Sequence, residues 1–198
     1  MCLWDLDKML TFRNKYRYNI HSQNGEDGIL QEIINRLELP VGYAVEFGAP
    51  TKKWMSNIYH LSELGWDCQW LDNDPKEGGI MKVTITSENI NTLFPVPDIL
   101  SIDIDGNDFE IWKAYEGRPD VVIVEINSDL DPDADYFSPE KGCNFSAMVK
   151  LAQVKEYFLC CHTGNLIFIA NEYREAFPDI EDVTRENTDL HFDKSWLK

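Results

Sequence analysis

Four stretches of this sequence end in a carboxylate or a carboxylate pair just where an apolar run stops. They are Glu46 in Tyr43-Ala44-Val45-Glu46-Phe47-Gly48, Asp72 in Cys68-Gln69-Trp70-Leu71-Asp72, Asp103 and Asp105 after Leu100-Ser101-Ile102, and Glu125 with Asn127 after Val121-Val122-Ile123-Val124. Each run is short, β-branched or aromatic, and reads as a buried strand. In open α/β sheets, ligands bind outside the carboxyl ends of the strands. Four strand-end acids therefore make one acid-lined site the most informative expectation from the sequence. The alternative for any single acid is that it caps a helix or hydrates a loop.

Glu46-Phe47-Gly48-Ala49 followed one strand later by Asp72 has the logic of a nucleoside-binding βαβ unit. The glycine admits the ligand to the backbone, and the acid can accept both ribose hydroxyls. A dinucleotide site needs G-x-G-x-x-G over a pyrophosphate, and Pro50-Thr51-Lys52-Lys53-Trp54 stands there instead. A ribose-bearing ligand without phosphate suits an acid-lined pocket better. S-adenosylmethionine is one, and carboxylates favour its sulfonium.

The elements that position these residues follow from periodicity. Glu26 and Asp27, then Ile29, Leu30, Ile33, Ile34 and Leu37, predict a helix with acids in its first turn, closed by Pro40 and Gly42. Trp54, Ile58 and Leu61 predict a crossover helix ending at Gly65, residues 81–85 a third strand, and residues 88–94 another helix. Phe109, Ile111, Trp112 and Ala114 give a further helix before the fifth strand. Strands and helices in this alternation mean right-handed crossovers and a mostly parallel α/β sheet. Beyond Asn127 the rhythm breaks. Residues 128–142 read as a polar loop or lid, residues 145–154 as a helix, and residues 157–161 and 166–170 as a hairpin around Thr163-Gly164-Asn165. The expected organisation is one domain over 1–198: an N-terminal helical segment 1–40, a sheet core 43–170, and an acidic tail 171–198 docked by Phe192 and Trp196.

Composition bounds the partners. Eighteen basic against 35 acidic residues give a net charge of −17, which repels phosphate backbones and anionic membranes. No nucleic acid and no membrane partner is expected, and a small-molecule substrate is. Five cysteines without a C-x-x-C pair argue for reduced thiols, with Cys160 and Cys161 on opposite faces of a strand. No stretch is long and apolar enough to span a bilayer, and residues 1–10 lack a basic-then-apolar signal pattern, so a cytoplasmic location is expected.

Ser22-Gln23-Asn24-Gly25-Glu26-Asp27-Gly28, Val45-Glu46-Phe47-Gly48-Ala49, Ser56-Asn57, Gly65-Trp66 and Leu100-Ser101-Ile102-Asp103-Ile104-Asp105-Gly106-Asn107-Asp108, in that order and spacing, resemble the FkbM family of class I methyltransferases. The likeness continues through Val124-Glu125-Ile126-Asn127 to Asn165-Leu166-Ile167-Phe168-Ile169 and covers residues 16–173. It implies a Rossmann-like class I methyltransferase sheet, mostly parallel and seven-stranded with a C-terminal antiparallel hairpin. It also implies S-adenosyl-L-methionine as cofactor and O-methylation of a hydroxyl on a sugar or small metabolite. Glu46, Gly48 and Ala49 match the family's first cofactor motif, Asp72 its ribose acid, and Asp103 the acid after the fourth strand. Gln23 and Asn57 fall in matching segments, and Thr86 lies where the adenine edge is read. After Ala49 the sequence departs from the family: two lysines stand where a second glycine is usual, and a cationic cofactor tolerates them only if they turn away.

Two further chemistries compete at the acids. Asp103, Glu125 and Asn127 offer oxygen ligands to Mg²⁺, which would activate a substrate hydroxyl; otherwise Glu125 and Asn127 bind backbone at the lid hinge. Asp103-Ile104-Asp105-Gly106 also mimics the start of a Mg²⁺-dependent haloacid dehalogenase-type phosphatase. As general bases the sequence offers Asp103, Asp105 and His21, the last either overhanging the site or simply at the surface. A non-catalytic descendant of the fold that binds a nucleoside or a partner is the alternative from another functional class. His60, His162 and His191 read as structural, and Arg13, Lys15 and Arg17 as a basic run that grips an acidic substrate or faces solvent.

Overall fold

In the computed structural model, which describes residues 11–134, 136–184 and 191–192, the first long helix forms where the apolar spacing places it. A short helix α1 (Phe12–Tyr16), capped by Thr11, precedes α2 (Glu26–Leu37). Ile29, Leu30, Ile33 and Ile34 bury one face of α2, and a left-handed Glu38 ends it. The chain then lays down β1 (Tyr43–Phe47), α3 (Tyr59–Glu63), β2 (Asp67–Asp72), β3 (Met81–Lys82), β4 (Ile99–Ile102), α4 (Asp108–Ala114) and β5 (Val121–Glu125). After β5 come a two-stranded ribbon of β6 (Phe137–Ser138) and β7 (Gly142–Cys143), then α5 (Phe145–Val154), β8 (Tyr157–His162) and β9 (Asn165–Ala170).

The seven-stranded sheet has the order β3-β2-β1-β4-β5-β9-β8. β1 to β5 pair in parallel, and β9 runs antiparallel to both its neighbours. This is an α/β, mostly parallel arrangement compatible with a Rossmann-like fold. The chain builds outward from β1 to β3, then returns to place β4 on the other side of β1. The strand order therefore reverses between β1 and β4, and that is where a crevice opens.

Alternation along the strands builds two cores. Val45, Phe47, Leu100, Ile102, Val122 and Val124 pack with α4 and α5, whereas Ala44, Ile99, Val121 and Ile123 pack with α1, α2 and α3. Glu46 and Ser101 share the second face and are buried there.

Several elements differ from the sequence reading. The crossover helix begins only at Tyr59, and the chain before it is held in a turn in which Ser56 Oγ accepts from the backbone N–H of Ile58 and Tyr59. Instead of a helix over 88–94 there is a single 3₁₀ turn, Ile90–Thr92. Asn89 accepts from Thr86 N and donates to Thr84 O, offering the backbone an alternative to the helical ladder. The third strand stops at Lys82, although Val83 N still donates to Asp72 O. Cys160 and Cys161 do not face opposite sides: a β-bulge between Leu159 and Cys161 inserts an extra residue, and both thiols enter the α1/α2 core. The tail forms a 3₁₀ helix, Asn171–Ala176, and Phe192 stacks on His162 5.1 Å away. Trp196 and Cys2 lie outside the described residues. Among the described residues no helix is long and apolar enough to cross a membrane.

Candidate functional site

Two clefts open at the carboxyl ends of the parallel strands. The first, about 420 Å³, lies over β1, β2 and β4 at the point where the strand order reverses. Gly48, which follows β1, lines it with φ +71°. A Cβ at that position would sit 1.4 Å from Asp103 O, so only glycine lets the ends of β1 and β4 approach this closely. Asp72 lines the same cleft from the end of β2; its Oδ1 accepts from Asp74 N at 2.6 Å, and Oδ2 has no partner among the described residues. Leu71, Val83 and Ile85 add an apolar wall. Lys76 also lines the cleft, but its ammonium is paired with Asp74.

The lysines after Ala49 turn away from this cleft. Lys52 Nζ lies 5.5 Å over the Trp70 ring and Lys53 Nζ 5.5 Å over the Tyr59 ring. The loop is held by Lys76 N donating to Pro50 O and Lys52 N to Glu77 Oε1.

Glu46 does not line either cleft. Its side chain shares the face of Ala44, where Oε1 accepts from Asn57 N at 2.7 Å and Oε2 from Ser56 Oγ. Asn57 Nδ2 in turn donates to Ser101 Oγ at 3.0 Å. Burial pushes the Glu46 carboxyl up to about 7, partly offset by these donors. Glu46 and Asn57 therefore shape the loop after β1 from beneath. Ala49 is buried outside the clefts, and Thr86 is held in the Asn89 turn just beyond the wall formed by Ile85.

The second cleft, about 450 Å³, lies over β4, β5 and the start of β9. Asp103 and Asp105 line it as well as the first, so they form the wall between the two. Asp103 and Glu125 follow one another across β4 and β5 and share a hydrogen bond. Two carboxyls can bond only if one holds a proton. Burial and the neighbouring Asp103 raise Glu125, so the two carboxyls share a proton more readily than either would hold one alone. Burial also raises Asp103, while the hydrogen bond from Glu125 works against that rise.

Asp108, in the first turn of α4, folds the loop that carries Asp103 and Asp105. Its Oδ1 accepts from Ile104 N at 2.8 Å and Oδ2 from Gly106 N at 3.1 Å. Asn127 pins the 128–142 loop: Nδ2 donates to Lys141 O, Oδ1 accepts from Asp129 N, and the backbone N–H donates to Cys143 O. Gln23, expected at the cofactor, lines this second cleft instead, beside Asn24. The reason is that the loop before α2 rises next to β9, where Asn165 lies, and not over β1.

His21 is outside both clefts. Its Nε2 lies 2.9 Å from Glu63 Oε2, and its ring meets Tyr59 edge-on at 4.8 Å. Although Asp103, Glu125 and Asn127 do meet at one cleft, the set does not suit Mg²⁺, which demands near-octahedral oxygens. Both amide atoms of Asn127 bind backbone, and Asp103 and Glu125 bind each other. Among the described residues no three His, Cys, Asp or Glu side chains are grouped to hold a metal ion.

Asp108 is the loop-anchoring residue of the candidate site to which the sequence reading gave no role. The signal was present, since an acid two residues after a glycine at a helix start is a loop anchor as readily as a helix-dipole partner. Asn165, Glu140 and Cys143 line the second cleft with no local signal at all. No protein-family model matches the chain, and no curated protein matches it.

Proposed function

We propose that this chain is an S-adenosylmethionine-dependent methyltransferase of the FkbM type that methylates a hydroxyl on a small acceptor. The observation that carries the reading is the shared wall: Asp103 and Asp105 belong to both clefts, so a ligand in one meets a ligand in the other across them. The mostly parallel seven-stranded sheet closed by an antiparallel hairpin agrees with what the family resemblance implies.

The first cleft fits the cofactor chemically. Asp72 offers an unpaired carboxylate oxygen for a ribose diol, Leu71, Val83 and Ile85 offer an apolar wall for a base, and the acids favour a cation. When bound, S-adenosylmethionine supplies an electrophilic methyl group on its sulfonium. The protein's part is to bind, to orient and to move one proton. Asp103 stands where an acceptor hydroxyl would approach the first cleft, and its partial burial raises its proton affinity toward that of a useful base. The hydrogen bond shared with Glu125 fixes the Asp103 carboxyl in place. Asp108 fixes the backbone that carries it. The lid, pinned by Asn127, covers the acceptor side and limits water.

The test is calorimetric binding of S-adenosylhomocysteine to the full chain and to Asp72→Ala. Loss of charge-assisted hydrogen bonds to a diol should cost about 1.5–3 kcal/mol, roughly tenfold to a hundredfold in affinity. Equal affinity in the two proteins removes Asp72 from the site, and no binding at all removes the methyltransferase reading. Binding without methyl transfer to any hydroxyl acceptor leaves the non-catalytic binding module.

A further inference from the structure

The loop before α2 is more rigidly built than a surface connection requires. Asp27 Oδ2 accepts from the backbone N–H of Ile20, His21 and Ser22 at 2.7, 2.8 and 2.8 Å, and Ser22 Oγ lies 2.7 Å from the same oxygen. Asn24 N donates to Glu26 Oε2 at 2.8 Å, and Asn19 Nδ2 to Gln23 O at 2.7 Å. Glu26 and Asp27 are 0% and 2% exposed, two adjacent buried acids committed to shaping one short loop. Burying carboxyls side by side is unfavourable for stability, and what it secures here is the position of residues 19–25.

That loop delivers Gln23 and Asn24 to the second cleft, where Asn165 joins them from the start of β9. The side-chain amides of all three have no hydrogen-bond partner among the described residues. The acids of the same cleft differ. Asp108 spends both oxygens on backbone N–H groups, and Asp103 and Glu125 are bonded to each other. An amide carries a donor and an acceptor on one rigid plane and so matches a hydroxyl, which both donates and accepts. Asp105, Asp108, Asp129 and Glu140, with the proton-sharing pair Asp103 and Glu125, stand around the cleft against one lysine, Lys141, so a phosphate or carboxylate there meets like charge.

Resting on the methyl-transfer reading of the two clefts, we infer that the 19–25 loop reads the acceptor. Through Gln23, Asn24 and Asn165 it selects an uncharged, multiply hydroxylated molecule over its phosphorylated or nucleotide-linked form. Gln23 and Asn24 are specificity residues and take no part in holding the cofactor. The reaction that supplies the acceptor must therefore leave it free of phosphate, as a hydrolysis or a completed glycosyl transfer does.

The experiment follows the side-chain NH₂ signals of Gln23, Asn24 and Asn165 in the ¹⁵N-labelled full chain, with S-adenosylhomocysteine present. A panel of uncharged methyl glycosides is titrated against the matching sugar phosphates and nucleotide sugars at equal millimolar concentration. The expected result is that glycosides shift these amides and the phosphorylated compounds do not. Gln23→Ala combined with Asn24→Ala should weaken glycoside binding about tenfold or more, and leave S-adenosylhomocysteine affinity unchanged. Equal shifts from the phosphorylated compounds, glycoside binding indifferent to the double substitution, or no shift from any glycoside each overturn the inference. Glycoside shifts in a protein that fails to bind S-adenosylhomocysteine keep the loop's role and discard the methyl-transfer reading, so the two failures are distinguishable.

Discussion

Replacing Gly48 with alanine tests the junction on which both clefts depend. Gly48 has φ +71°, and the new Cβ would lie 1.4 Å from Asp103 O and 2.7 Å from Asp103 C. An ordinary Cβ contact is 3.4–4 Å, so the ends of β1 and β4 would have to part by about 2 Å. Left-handed backbone costs alanine about 1–2 kcal/mol, and overpacking against rigid main chain about 1–3 kcal/mol. The hydrogen bond from Gly48 N to Leu71 O, 3.1 Å long, would be strained as well, at about 1 kcal/mol. Together these give about 3–6 kcal/mol, against a total stability of about 5–15 kcal/mol for a domain. With a urea slope of about 2–3 kcal/mol/M, the unfolding midpoint should fall by about 1–3 M. Gly65 is the internal control: its φ is +94°, but nothing lies within 4 Å of a Cβ there. Gly65→Ala should show the backbone cost alone, about 1–2 kcal/mol. Because Asp103 moves with its carbonyl, Gly48→Ala should also lose S-adenosylhomocysteine binding under conditions where it remains folded. Equal midpoints for the two variants, or an unaltered ligand affinity in Gly48→Ala, would refute the reasoning.

Stability should fall as pH rises from the ordinary carboxylate range toward alkaline pH. Asp108, Glu46 and Glu125 are pushed up to about 6, about 7 and about 9, so the folded chain keeps protons that the unfolded chain has released. That stabilisation is complete below the unfolded values and is lost as pH climbs through the folded ones. Glu46, buried and raised from 4.5 to about 7, accounts on its own for a change on the order of 3 kcal/mol. Thermal unfolding near pH 5 and near pH 9 checks the direction, and Glu46→Gln should flatten the part of the slope between 4.5 and about 7. His21→Ala should leave S-adenosylhomocysteine affinity and methyl transfer unchanged, because the imidazole sits against Glu63 and Tyr59; a loss of turnover in a folded His21→Ala protein would return it to the site.

The sequence by itself determined the longer strands of the sheet and the long helix, but not where β3 stops or the short β6–β7 ribbon. Val121–Glu125 is apolar on both faces because a central parallel strand is covered on both, and α2 carries its apolar residues every third or fourth position. These patterns depend on backbone geometry and near neighbours, which a sequence displays directly. The same is true of Asp72, Asp103 and Gly48, whose positions at strand ends follow once the strands are recognised. What each acid does was decided elsewhere. Glu46 and Asp72 look alike in the sequence, yet Glu46 points with Ala44 into the α2 side and binds Ser56 and Asn57, while Asp72 keeps an oxygen open to a cleft. The paired cysteines ended on one face because a bulge, set by pairing with β9, interrupted the alternation. Gln23 and Asn165 share a cleft although they are far apart in the chain, since only the strand order places β9 beside β5. Whether a strand-end acid is spent on neighbouring donors or left open to a ligand depends on which chain segments fold against it. Those segments are brought there by long-range sheet pairing, which no local pattern encodes.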